Sequence, residues 1–328
     1  MSTEATLQLK VRSVEALHPL IRRVDLAAGD GSVLPAFTAG AHVRVQVQLP
    51  GGELDWRHYS LVNLDTAEVA TQRPRSYTLA VRLEPEGRGG SRFMHQLKPG
   101  DAVTVQAPRN EFALTEHRGT TLLVAGGIGV TPLTAMPAER KRQRRPVRMV
   151  YASRSREQMA FLSPLRELLG NQLSLHADQD VGRPLDLASL LDTCGPDDVL
   201  YVCGPQPMLD SILAGAQARG WARERVKFEI FSAPAAQSND HAFDLVLNRS
   251  GQTLRVASDQ TILDCVEMHG FDALSDCRRG ECGVCVVDVV EGEVDHRDHV
   301  LSSAEKSSGK VIQICVSRAK GQRLVLDL

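Results

Sequence analysis

The chain has 328 residues, more than one hydrophobic core usually organises, and this length fits two or three domains. Its 38 Lys and Arg residues nearly balance its 40 Asp and Glu residues, for a formal charge of -2, which argues against nucleic acid or an anionic membrane as the main partner. No apolar run approaches the roughly 18 residues of a membrane span, and the first residues lack the apolar stretch of a signal peptide. We therefore expect a soluble cytoplasmic protein.

The pattern over residues 7–108 predicts short strands separated by turns. Strict alternation of apolar and polar residues predicts strands at 42–49 and 76–83. Shorter runs predict four more, at 9–14, 23–27, 57–62 and 102–105, which is enough for a small closed antiparallel β-barrel. A predicted helix at 91–97 follows a glycine-rich stretch, so free N–H groups at its start form a candidate phosphate site; a plain surface turn is the alternative.

After Arg118, apolar strands alternate with helices. We predict strands at 121–125, 147–152, 173–177, 199–203 and 226–230, and helices near 132–144, 157–169, 186–192 and 206–219. This alternation predicts a parallel five-stranded sheet of the α/β class, covered by helices on both faces. Such sheets bind ligands at the carboxyl ends of their strands.

The first of these strands ends in the sequence Gly126-Gly127-Ile128-Gly129-Val130-Thr131-Pro132, a candidate pyrophosphate-binding loop. We expect Thr131 to cap the following helix and Pro132 to occupy its first position. Pro137 is expected to break that helix, and the cation-rich run 139–145 to form a solvated helix end.

The last third of the chain predicts a small α+β domain. Residues 232–240 are small, polar and proline-containing, which is typical of a linker. After them the pattern predicts a hairpin at 243–248 and 252–256, a helix at 262–268, and strands at 284–290 and 311–316.

Four of the seven cysteines have the spacing C-x4-C-x2-C with a fourth 30 residues later: Cys277, Cys282, Cys285 and Cys315. This is the spacing of plant-type [2Fe-2S] clusters. Gly280 and Gly283 would let the loop turn its N–H groups toward the sulfurs. Zinc is the alternative metal, but zinc sites favour two Cys-x-x-Cys pairs and the sequence has one. Disulfide bonds are a weaker alternative, because three of the four cysteines lie within nine residues. We therefore predict an iron-sulfur cluster.

Five motifs in this order resemble the phthalate dioxygenase reductase family: Arg57-His58-Tyr59-Ser60, Gly87-Arg88-Gly89-Gly90-Ser91, the 126–132 loop, Cys203-Gly204-Pro205 and the cysteine set. The resemblance covers essentially the whole chain. It implies an FMN-binding β-barrel domain at 1–116, an NAD-binding α/β domain at 117–232, a linker at 233–242 and a plant-type ferredoxin domain of the β-grasp fold at 243–328. Two features depart from the family's pattern: the segment 63–74 is longer than expected, and Pro137 is expected to distort the first helix of the α/β domain.

The resemblance also implies roles for individual residues. At the flavin, Arg57 would bind the phosphate with Gly89, Gly90 and Ser91, Tyr59 would pack on the isoalloxazine, and Ser60 would bond near N5. Cys203 would lie near the nicotinamide, while Glu229 and Phe231 would be the family's carboxylate and flavin-covering aromatic; for Phe231, ordinary core packing is the alternative. Further cofactor contacts are implied for His58, Ala80, Val81, Arg82, Gly126, Gly127, Gly129, Thr131, Pro132, Ser153, Arg154, Gly204, Pro205 and Met208.

The implied function is electron transfer. A hydride from NADH would reach FMN, and single electrons would pass through the cluster to a partner Rieske-type oxygenase that acts on an aromatic or related carboxylate. NADH is expected rather than NADPH, although Arg154 and Arg156 follow the second strand and either could hold a 2′-phosphate. The alternatives are a non-catalytic iron-sulfur sensor or scaffold, and a reductase that serves a monooxygenase or a dehalogenase.

Overall fold

In the computed structural model, which describes residues 5–231, 233–234 and 237–328, six antiparallel strands come first. They are β1 (Thr6–His18), β2 (Ile21–Ala28), β3 (His42–Gln48), β4 (Leu54–Ser60), β5 (Tyr77–Arg82) and β6 (Ala102–Gln106), in the sheet order β4-β3-β6-β1-β2-β5. A bridge between Val62 and Thr78, just past β4 and within β5, joins the two outer strands. The predicted six-stranded barrel is confirmed.

Alternation along the strands fills the barrel. Val43, Val45 and Val47 of β3 are fully buried, whereas Arg44 between them is partly exposed. Each buried valine contributes about 1.5–3 kcal/mol of transfer free energy. Two short helices accompany the barrel, α1 (Val69–Gln72) in the unexpectedly long segment and α2 (Gly90–Gln96), which lies within one residue of its predicted bounds.

The second sheet is parallel and has five strands. They are β7 (Thr121–Gly126), β8 (Val147–Ser153), β9 (Leu173–Ala177), β10 (Val199–Cys203) and β11 (Val226–Glu229), in the order β11-β10-β7-β8-β9. The helices are α3 (Ala135–Arg142), α4 (Leu162–Leu169), α5 (Asp178–Val181), α6 (Leu187–Asp192) and α7 (Gln206–Ala218). Every residue of the central strand β7 is buried, which explains its continuous apolar sequence.

Three expectations about the segment after β7 are wrong. The chain forms a 3-10 helix over Gly127–Leu133, and Thr131 donates to the carbonyl of Ile128 at 3.0 Å instead of capping a helix. Pro137 does not break α3, because the helix begins at Ala135 and a first-turn N–H has no helical partner to lose. Arg140 is not solvated: it is 1% exposed.

Arg140 is buried because oxygen atoms surround its guanidinium group. Its Nε donates to Thr121 Oγ1 at 2.8 Å and its Nη2 to the carbonyl of Thr115 at 2.6 Å. Burial nevertheless lowers the pKa of Arg140.

Helix α4 also differs from its prediction. It begins at Leu162 rather than at the predicted 157, after Phe161, which has a left-handed backbone with φ of 59°.

The last third of the chain forms a mixed sheet. Its elements are β12 (Phe243–Leu247), β13 (Thr253–Val256), α8 (Ile262–Met268), β14 (Val286–Glu291), β15 (Val294–Asp295), α9 (Ser303–Ser308), β16 (Val311–Gln313), β17 (Arg318–Ala319) and β18 (Arg323–Leu326). The main sheet has the order β13-β12-β18-β14-β16, with β12 and β13 as the predicted hairpin. Helix α8 has its predicted bounds, but Cys315 lies beyond the end of β16 and not within the strand.

The chain divides into two compact units, Met1–Glu229 and Ile230–Leu328. The finer boundaries at 116 and at 242 stay predictions. Among the described residues, every helix is too short or too polar to cross a membrane.

The stretch predicted as a linker is held at both ends within the second unit. The backbone N–H of Ile230 donates to Glu281 Oε2 at 2.7 Å. Ten residues later, the buried carboxylate of Asp240 accepts from both terminal nitrogens of Arg297, one of them at 3.1 Å. Residues 232, 235 and 236 between these points lie outside the described residues.

The Asp240–Arg297 pair yields a prediction for stability. The hydrogen bonds from Arg297 lower the pKa of Asp240 from 3.8 to about 2. A carboxyl whose pKa is lowered on folding stabilises the folded state above its unfolded pKa, and this contribution is lost as the pH falls from about 4 to 2. We expect Asp240→Asn to lower the free energy of unfolding of the second unit by about 1–2 kcal/mol at pH 7.

Calorimetry of the full chain at several pH values checks this prediction. The difference between Asp240→Asn and the parent should shrink as the pH falls below 4. Asp244→Asn is the matched control, because its pair with Arg255 at 2.7 Å is about half exposed and should contribute at most about 1 kcal/mol. Equal stability of Asp240→Asn and the parent at pH 7 would contradict the prediction.

Candidate active site and cluster site

Arg57 lies in the middle of β4, and one terminal nitrogen of its guanidinium group is hydrogen-bonded within the strand. Its Nη1 donates to the carboxylate of Asp55 and, at 3.0 Å, to the carbonyl of Trp56. Its Nη2 is buried and has no hydrogen-bond partner among the described residues. A buried N–H donor is costly to leave unpaired, so this atom fits a ligand oxygen. Phosphate, which guanidinium binds with two parallel hydrogen bonds, is suited to the place.

The glycine-rich turn before α2 lies against Arg57. A Cβ atom on Gly90 would lie 3.0 Å from Arg57 Cγ, and Gly89 has a φ of 103°, a left-handed backbone that favours glycine. The hydroxyl oxygen of Ser91 accepts from the N–H of Glu84 at 3.0 Å, which leaves its proton free to be donated. The structure thus brings together the four residues predicted for a flavin phosphate.

The other predicted flavin residues lie nearby on β4 and β5. Burial raises the pKa of Tyr59, against the smaller opposite effect of Arg57, so the phenol stays neutral. Ser60 is buried and pairs with His42 across the sheet, and the rings of His42 and His58 are 4.8 Å apart. On β5, Ala80 and Val81 are buried, whereas Arg82 is exposed and lies 3.5 Å from Glu84. Contact of these residues with a cofactor stays a prediction.

At the parallel sheet, the turns after β7 and β10 touch backbone to backbone. A Cβ atom on Gly129 would lie 2.2 Å from the carbonyl oxygen of Cys203. One on Gly126 would lie 2.6 Å from Pro205 Cδ and 3.0 Å from the sulfur of Met208. The two predicted nucleotide motifs therefore form one surface at the carboxyl edge of the sheet, where parallel sheets bind nucleotides.

Of the remaining predicted nucleotide residues, those of the first unit lie at or just after the carboxyl ends of strands of this sheet. Cys203 is buried and lies opposite Glu229 in the register of β10 and β11. Ser153 ends β8, and the carbonyl of Arg154 accepts from the N–H of Gln179 at 3.0 Å. Phe231 is 37% exposed and belongs to the second unit. Exposure of an aromatic ring to this degree argues against the alternative that Phe231 is ordinary core.

The four predicted cluster cysteines lie in two pairs. The sulfurs of Cys285 and Cys315 are 3.1 Å apart, too far for a disulfide, and the thiols of Cys277 and Cys282 are hydrogen-bonded. Among the described residues, no group of three or more His, Cys, Asp or Glu side chains is arranged to hold a metal ion. Two pairs of cysteines fit a cluster of two irons, in which each iron takes two protein thiolates.

One thiol of each pair is predisposed to ionise. The hydrogen bond from Cys282, with backbone N–H groups such as that of Arg279 at 3.3 Å, lowers the pKa of Cys277. The hydrogen bond with Cys315 likewise lowers the pKa of Cys285. Thiolate is the form that binds iron. Gly280 and Gly283 have φ of 77° and 81°, which confirms that the loop bends at the predicted glycines.

Charged residues that sequence reasoning missed fix the cysteine loop. Arg278 pairs with Asp264 at 3.0 Å and with Glu267, so the loop is tied to α8. Arg279 and Glu281 form an ion pair at 2.9 Å whose side chains are only 11% and 12% exposed. The available signal was the presence of both charge signs within Asp276 to Glu281, which could have suggested the Arg279–Glu281 pair, whereas the partners of Arg278 are more than ten residues away along the chain.

The chain is similar to known proteins over part of its last third and over nearly its whole length. A family described as a 2Fe-2S iron-sulfur cluster binding domain matches residues 245–320. The chain is 40% identical over 326 residues to the putative toluene-4-sulfonate monooxygenase system reductase subunit TsaB2 of Comamonas testosteroni, covering 99% of both chains. It is 39% identical over 323 residues to the heme-dependent oxidative N-demethylase beta subunit of Ectopseudomonas mendocina (strain ymp), covering 98% of this chain and 99% of that protein.

A solved structure extends the comparison to the fold. Phthalate dioxygenase reductase, described as a modular structure for electron transfer from pyridine nucleotides to [2Fe-2S], is 35% identical with a TM-score of 0.74, covering 99% of this chain and 98% of that one. The predicted multidomain fold is confirmed, and two members of the expected cofactor set, the pyridine nucleotide and the [2Fe-2S] cluster, are the ones that the description of this reductase names. With such identity over nearly its whole length, the chain belongs to the phthalate dioxygenase reductase family.

Proposed function

We propose that this protein is the NADH-dependent reductase component of an oxygenase system, located in the cytoplasm. It takes a hydride from NADH onto FMN and passes single electrons through a [2Fe-2S] cluster to a Rieske-type oxygenase that acts on an aromatic or related carboxylate. The observation that carries the proposal is the arrangement of four thiols in two pairs, in a chain that also has an arginine with a buried, unpartnered Nη2 and two glycine-containing turns that meet at the carboxyl edge of a parallel sheet. A sensor or scaffold would need neither of the latter.

FMN, when bound, supplies the conversion between a two-electron hydride and single electrons. The residues of this chain position its phosphate: Arg57 offers the unpartnered Nη2, and Gly90 leaves room for the guanidinium group. A neutral Tyr59 supplies a flat, half-buried surface for the ring system, and Ser60 at the end of β4 a hydroxyl for its polar edge.

The carboxyl edge of the parallel sheet would hold NADH. Gly126 and Gly129 allow backbone N–H groups to approach a pyrophosphate, as glycine-rich turns do in nucleotide-binding sheets. Cys203 and Glu229, opposite each other on neighbouring strands, would orient the nicotinamide. Cys277, Cys282, Cys285 and Cys315 would ligate the cluster in the two pairs described.

For the partner, the proposal names a class of oxygenase and not an individual protein. One relative is named for a toluene-4-sulfonate monooxygenase system, an aromatic substrate with an anionic group, and another for a heme-dependent N-demethylase. The first favours an oxygenase of aromatic acids. Turnover with a purified Rieske oxygenase and with a heme-dependent demethylase separates the two partner classes.

Loss of Arg57 should weaken flavin binding. Arg57→Ala removes a charge-assisted contact to phosphate, which is worth about 1.5–3 kcal/mol, or roughly 10- to 100-fold in affinity. Flavin retained after gel filtration measures the effect. Arg75→Ala is the matched control, since this exposed arginine of the same unit donates, within the described part of the chain, only to the carbonyl of Gly31, at 2.9 Å. Chromatography of the released flavin should give FMN, and FAD would contradict the proposal.

Loss of one cluster ligand should separate the two halves of the reaction. Cys285→Ser removes a thiolate, so bound iron and acid-labile sulfide should fall well below the expected two of each per chain. Reduction of ferricyanide by NADH should persist, whereas oxygenase-coupled turnover should collapse. Cys265→Ser is the control, because Cys265 is also buried in the same unit but, among the residues that the structure describes, its thiol bonds only to the carbonyl of Arg255, at 3.6 Å. Zinc in place of iron in the parent would refute the cluster.

A further inference from the structure

An ion pair lies at the carboxyl edge of the parallel sheet, on the side away from Cys203. Arg156 follows β8, and its Nε donates to Asp180 Oδ2 at 2.6 Å. Asp180 belongs to α5, which follows β9, the next strand outward in the sheet. Two successive loops thus meet where the ribose of a bound adenosine lies in sheets of this kind.

The backbone fixes the two loops against each other. The N–H of Gln179, the residue before Asp180, donates to the carbonyl of Arg154 at 3.0 Å. Ser153 and Ala177, at the ends of β8 and β9, are register partners. An exposed ion pair alone contributes little, about 0–1 kcal/mol, but here the main chain already holds Asp180 opposite Arg156.

The charges on these loops do not favour an additional phosphate. The loop after β8 carries Arg154, Arg156 and Glu157, and α5 with the two residues after it carries Asp178, Asp180 and Arg183, so the formal charges balance. A 2′-phosphate is bound best by a guanidinium group that offers it two parallel hydrogen bonds, whereas a 2′-hydroxyl needs no such partner. The bond from Arg156 Nε to Asp180 directs the guanidinium group toward a carboxylate, which would itself repel the phosphate.

We propose that Asp180 sets the preference for NADH over NADPH, because it holds Arg156 away from the position of a 2′-phosphate. Asp180 acts through Arg156 and is a positioning residue. The inference rests on the proposed NADH-dependent function and identifies what selects the nucleotide at that site.

The test compares Asp180→Asn, Arg156→Gln and the double variant with the parent. In Asp180→Asn the arginine is released and one negative charge is lost, so kcat/KM for NADPH relative to NADH should rise about tenfold. The gain should disappear in Asp180→Asn/Arg156→Gln, and Arg156→Gln alone should keep the parent's ratio. Asp192→Asn, which loses an exposed pair with Arg219 at 2.7 Å at the end of α6, is the matched control and should leave the ratio unchanged.

Calorimetry with 5′-AMP and 2′,5′-ADP gives a readout that needs neither flavin nor cluster. Asp180→Asn should gain affinity for 2′,5′-ADP about tenfold and keep its affinity for 5′-AMP. A parent that neither oxidises NADH nor binds 5′-AMP would refute the proposed function. If the parent oxidises NADH but the ratio in Asp180→Asn does not change, or if the gain survives in the double variant, the function stands and the role of Asp180 through Arg156 is overturned.

Discussion

The turns after β7 and β10 approach each other so closely that no side chain fits between them. A Cβ atom on Gly129 would overlap the carbonyl oxygen of Cys203, 2.2 Å away, and both partners are backbone that cannot move without shifting the sheet. This contact joins two motifs that are far apart in sequence into one surface at the carboxyl edge of the sheet. Cys203 ends β10 opposite Glu229, so the contact also fixes where this pair of residues lies relative to the turn after β7.

Signals that act over a few residues predicted most of the fold. Helix α8 has its predicted bounds, and the structure shows a local reason for them: Thr261, directly before an apolar run, accepts from the N–H of Asp264 at 3.0 Å. The cluster cysteines were found because a cluster loop is a local structure with fixed spacing. The barrel followed from alternation, since each strand has one face in the core.

What could not be predicted depends on partners distant in the chain. Arg140 lies in a cation-rich run that resembles a solvated helix end, yet its partners Thr115 and Thr121 come from the start of β7 and the segment before it. The start of α3 was misplaced because the 3-10 helix before it is set by packing of Gly129 against β10 rather than by local propensity. The partners of Arg278 and Asp180 were hidden for the same reason.

The bonds of Ile230 to Glu281 and of Asp240 to Arg297 show that the stretch between Ile230 and Asp240 does not act as a spacer between the two units. A spacer has one end on each of the bodies that it joins, whereas both ends of this stretch are fixed to the ferredoxin unit. Its length therefore does not set how far that unit can travel, and the covalent freedom between the two units reduces to the backbone around Glu229 and Ile230. Residues could be added between 231 and 239 without giving the electron-transferring unit any greater reach.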